Sequence, residues 1–61
     1  MGTDDLIAAK ENADATRDRL MVALHQADPV QALAVLPLIE GAANLSQQIE
    51  RFVLAVEAAR R

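Results

Sequence analysis

The chain has no cysteine, tryptophan or tyrosine, only one histidine and one phenylalanine, and just two glycines and two prolines. Each shortage closes a route. Without cysteine there is no disulfide framework and no thiolate metal site, and His25 alone cannot build a His-based one. Nucleophilic triads lack a base with a convincing serine partner, so no catalytic constellation can be assembled and no enzyme is expected. Gly2 and Gly41 lie far apart and neither opens a strand–helix turn, which excludes a phosphate-cradling loop and leaves no cofactor signature. Phe52 by itself supplies no aromatic platform for stacked bases.

Long apolar runs are missing too. None approaches the roughly 18 residues a membrane-spanning helix needs. Asp4 and Asp5 stand where a secretory signal would be basic, and Leu6 occupies the position where myristoylation needs Ser or Thr, so a cytoplasmic location is the expectation. The net charge of −3 argues against a general nucleic-acid binder, because phosphate binding depends on clustered cations.

At 61 residues the chain is one domain at most. A core of that size rarely supplies more than about 3–5 kcal/mol, and small proteins reinforce it with disulfides, metals or oligomerisation. The first two are gone. Oligomerisation remains.

What the chain does have is helix. Alanine is abundant, β-branched residues do not alternate with polar ones, and one all-α domain, 1–61, is expected. The first helix should run from about residue 4 to 27, with Thr3 as N-cap and acidic residues in the first turn to suit the helix dipole. Its apolar seam reads Leu6, Ala9, Ala13, Thr16, Leu20, Ala23, Ala27. Asp28-Pro29-Val30-Gln31 then sets a capping Asp, proline at the first helical position and Gln at the third, which is a capping box. A second helix should follow from about 29 to 60. The connection is so short that an antiparallel hairpin is the natural geometry.

Inside the second helix, Pro37 cannot donate to the carbonyl of Leu33 and its ring crowds that turn. Either the helix is long and kinked near Pro37, or it breaks between 37 and 44, with Asn44-Leu45-Ser46-Gln47 as a further capping box. The heptad stripe favours the kinked helix. Val35, Leu38, Ala42, Leu45, Ile49, Phe52, Val56 and Ala59 step by threes and fours without slipping phase. That repeat lets helices lie along one another as a bundle or coiled coil.

Two stretches exceed what a two-helix hairpin can cover. Leu20-Met21-Val22-Ala23-Leu24 is greasy on every side, and so is the segment holding Val30, Leu33, Val35, Leu36, Leu38 and Ile39. Both flank the Asp28-Pro29 turn. Two hairpins packed together would bury them, so a homo-oligomeric bundle is expected, first as a homodimeric four-helix bundle and alternatively as a higher symmetric oligomer. The residues assigned to that interface are Leu20, Leu24, Leu33, Leu36, Leu38, Ile39, Leu45, Ile49, Phe52 and Val56. Leu36→Asp or Ile39→Asp should dissociate and unfold the protein together.

The functional expectation is therefore a non-enzymatic oligomerisation and protein-interaction module, a small adaptor or regulator whose partner is another copy of itself and, beyond that, another protein. Glu11, Asp14 and Asp18 share an outer helical face at i, i+3, i+7 and form the candidate surface for a separate partner. Carboxylates in a bundle hold paired metals when a Glu is followed at i+3 by His, and Glu11-Asn12-Ala13-Asp14 lacks that histidine, so a solvated acidic face is preferred. His25 reads as a polar residue at a helix C-terminus. A second reading is a nucleic-acid-associated regulator using Arg51, Arg60 and Arg61, with Glu57–Arg61 an ordinary i, i+4 pair. A third is an open groove around Met21 and Leu36 that takes an apolar ligand or a partner helix.

Overall fold

The structure is a computed structural model that describes residues 3–60. Two helices make up the fold, α1 (Asp4–Gln26) and α2 (Pro29–Ala59), packed against each other as a hairpin. The hairpin is a rod of 49 × 14 × 13 Å on its Cα positions. At 1.5 Å per residue, the 31 residues of α2 extend about 46 Å and so span nearly its whole length.

The turn is built locally. Ala27 and Asp28 adopt extended backbone with ψ of 146° and 171°, and the amide of Ala27 still donates to the carbonyl of Leu24 at 3.2 Å. The Asp28 carboxylate accepts from the Gln31 amide at 2.8 Å, and the Asp28 amide donates to Gln31 Oε1 at 3.3 Å. Each residue thus satisfies an orphan group of the other, and Pro29 occupies the first helical position, where a missing N–H leaves nothing unpaired.

At the other start the outcome differs. Thr3 precedes α1 in helical backbone conformation and its side chain makes no capping hydrogen bond. A capping residue needs extended backbone to swing its oxygen over the exposed amides, and Thr3, in helical backbone, accepts only through its carbonyl, from the Ile7 amide at 2.9 Å. Asp4 and Asp5 are left to favour that helix end through their charge.

α2 runs through Pro37 without dividing, and residues 44–47 lie inside the helix rather than opening a new one. Asn44 is therefore no N-cap: amides beyond it have helical carbonyls behind them and no orphan donor needs its side chain.

The helices meet along a narrow line. Leu6, Ala13, Leu20 and Leu24 of α1 face Val35, Ile39, Ala42, Ile49, Val53 and Val56 of α2, mostly half-buried. Among the described residues only Ala13 and Val53 are buried apolar side chains, and no large side chain is fully enclosed. Ala9, Thr16 and Ala23, expected in the α1 seam, are exposed, and Lys10, Asp14 and Arg17 take half-buried places along it instead.

Candidate interaction surface

A polar knot sits midway along the hairpin. Ser46, itself buried, donates from Oγ to Asp14 Oδ1 at 2.5 Å, and Lys10 Nζ donates to Asp14 Oδ2 at 3.0 Å. Arg17 lies 4.0 Å from the same carboxylate and also reaches Asp18 at 3.3 Å. The Ser46 hydroxyl and then the Lys10 ammonium hold the Asp14 carboxyl below the usual carboxylate range, against a smaller opposing effect of burial. The same contact with Asp14 raises Lys10 above the ordinary lysine value, with Glu50 on α2 adding in the same direction. Both oxygens of Asp14 are occupied, and no buried polar side-chain atom among the described residues lacks a partner.

Asp14 thereby leaves the outer acidic face. It bonds to Ser46 of α2 and is half-buried, while Glu11 and Asp18 stay exposed. The cause is Ser46: a hydroxyl at the helix contact gives Asp14 a charge-assisted bond that water on the outer face would only match. No cluster of three or more metal-binding side chains exists among the described residues.

The hairpin also opens into an apolar groove of about 460 Å³, lined by Ala13, Thr16 and Leu20 of α1 and by Pro37, Leu38, Gly41, Ala42 and Leu45 of α2. Thr16 asks nothing polar of an occupant, because its hydroxyl already donates to the Asn12 carbonyl at 2.9 Å. A Cβ built on Gly41 would meet nothing within 4 Å. The groove lies farther from the turn than Met21 and Leu36, and neither of these residues lines it.

The heptad stripe is split by this arrangement. Val35, Ala42, Ile49 and Val56 face α1, together with Ile39 and Val53, whereas Leu38, Leu45 and Phe52 remain 52–58% exposed. Of the residues expected at an interface, Leu20, Leu24, Ile39, Ile49 and Val56 are engaged within the hairpin. Leu33, Leu36, Leu38, Leu45 and Phe52 are not. Val30 and Leu33, beside the turn, are the most open at 78% and 73%. Sequence reasoning missed Ser46, although a lone polar residue midway in the heptad column Ile39–Ser46–Val53 was a signal for it.

His25 donates from Nδ1 to the Met21 carbonyl at 2.8 Å, since a carbonyl can only accept, and so ties itself to the last turn of α1. Arg51 is exposed on α2, and Arg60, the residue that caps the end of α2, is exposed as well. Arg61, and with it the pairing to Glu57, lies outside the described residues. No described helix is long and apolar enough to cross a membrane. The chain matches no protein-family model, and comparisons with curated proteins and with solved structures find no significant match.

Proposed function

We propose that this chain is a non-enzymatic self-association module, in which two hairpins pair into a four-helix bundle whose outer helical surface serves a protein partner. One observation carries the reading: the mismatch between apolar content and burial. Apolar residues make up 52% of the chain, yet ten large apolar side chains among the described residues are exposed. A hairpin with so thin a core gains most of its stability from whatever covers that surface. The absence of disulfide and metal reinforcement leaves association as the remaining source.

Sedimentation across a dilution series, with helicity followed in parallel, tests the proposal. The expected result is a highly helical dimer that melts at lower temperature on dilution. A hairpin that stays helical and monomeric at every concentration overturns it, and so does a monomer of low helicity, which would assign the apolar surface to a different protein.

A further inference from the structure

We infer that the groove between Leu20 and Leu38 is the self-association face, and that its occupant is α2 of a second copy crossing it antiparallel about a twofold axis at Gly41 and Ala42. The inference rests on the self-association reading and specifies its geometry.

Three features of α2 select this occupant. The first is symmetry. Leu38, Gly41, Ala42 and Leu45 run large, small, small, large with equal spacing on either side. Turned about its centre, the row fits itself: Leu38 meets the partner's Leu45, and Gly41 meets the partner's Ala42. An isologous contact needs such self-complementarity, and an unrelated helix would have no reason to reproduce it. The small central pair lets the two backbones come close.

Glycine supplies the second argument. In a helix interior Gly costs roughly 0.5–1 kcal/mol relative to Ala, and one use of such a residue is to let another backbone approach closely. Nothing within the hairpin requires it at 41, where the space is open. A second α2 laid over it would make use of the missing side chain.

The third is length and chemistry. From Leu38 to Phe52 the exposed row extends about 21 Å, which calls for another helix rather than a small molecule. Followed in steps of four and three from Ala34 through Gln48 to Ala59, it contains no charged residue in a chain that is one-quarter charged. The hairpin's length of 49 Å on Cα positions leaves room for the whole row and its symmetric counterpart to lie along one side.

The test uses the full chain and turns on a sign. Gly41→Leu improves helix propensity, and its Cβ meets nothing within 4 Å in the hairpin. If the groove is solvent, the variant dimerises as tightly as the parent or tighter, which overturns the inference. If a second α2 lies there, the added side chain overpacks the contact, and dissociation moves to a concentration about tenfold higher or more. A paired measurement separates this inference from the broader reading. The chain lacks cysteine, so Gly41→Cys and Leu54→Cys report their own crosslinks on mild oxidation. Ready crosslinking of the Gly41→Cys chain, and not of the Leu54→Cys chain, is expected. The reverse pattern in a protein that still sediments as a dimer overturns the groove assignment and leaves self-association standing. A parent chain that is monomeric by sedimentation defeats both, and saturable binding of a hydrophobic dye by that monomer would give the groove to a foreign ligand.

Discussion

Ser46 of α2 donates its hydroxyl proton to Asp14 of α1 across 32 residues of sequence, and this is the one long-range side-chain hydrogen bond found among the described residues. Apolar contacts along the helix line are non-directional. A charge-assisted bond at one point does not slide. It fixes which residues oppose which, the register role best attested for buried polar groups in helical assemblies.

Ser46→Ala should therefore cost more than its size. Removing the hydroxyl deprives a half-buried carboxylate of its shortest bond, and the melting temperature should fall by roughly 5 °C. Thermal unfolding followed by circular dichroism, at matched concentration, checks this; an unchanged melting temperature would show that the bond contributes nothing net.

The same knot makes stability depend on pH at both extremes. Asp14 titrates lower folded than unfolded, so its contribution is present above the ordinary carboxylate value of about 4 and is lost as pH falls through the folded value. Lys10 titrates higher folded than unfolded, so its contribution is complete below about pH 10 and is lost as pH rises through the folded value. Between these limits the pair adds a flat term. Melting temperatures from pH 2 to 7 should drop at the acid end, and Asp14→Asn should flatten part of that drop.

Asp28→Ala should weaken the turn by about 1 kcal/mol, because it removes the acceptor for the Gln31 amide at the start of α2. Amide hydrogen exchange gives the local readout: protection should fall first at Gln31 and its neighbours rather than at mid-helix.

Pro37→Ala returns an amide to the helix interior facing the Leu33 carbonyl and removes the ring that crowds it. Since α2 is already continuous through this point, the change should raise stability, with about 3 kcal/mol as its upper bound. A loss of stability would mean that the proline ring is itself a packing element.

The two positions expected to act together, Leu36 and Ile39, are now distinguishable. Ile39 is half-buried between the helices, whereas Leu36 is 46% exposed. Ile39→Asp should abolish helicity at any concentration. Leu36→Asp should leave a helical hairpin at high concentration.

The turn was legible in the sequence because every part of it is local: capping Asp, Pro and Gln fall within four residues. The continuity of α2 was legible from the unslipped phase of the stripe, which outweighed Pro37. What periodicity left open was the face. A heptad stripe marks two adjacent rows, but a single neighbouring helix covers little more than one of them. Here Ile39 and Val53 join the covered row and Leu38, Leu45 and Phe52 stay open, a choice that depends on the partner helix's own side chains. Asp14 was misplaced because a carboxylate reads as outer surface whenever its partner lies far away in sequence.

The two-residue connection has one further consequence. Hairpins with short hinges are prone to domain swapping, in which the turn straightens and each arm pairs with another chain. Straightening this one would require Asp28 to turn helical directly before Pro29, a conformation that the proline ring disfavours. It would also break both bonds of the capping box. The turn is thus a latch as well as a corner, and it keeps the two arms of one chain folded on each other.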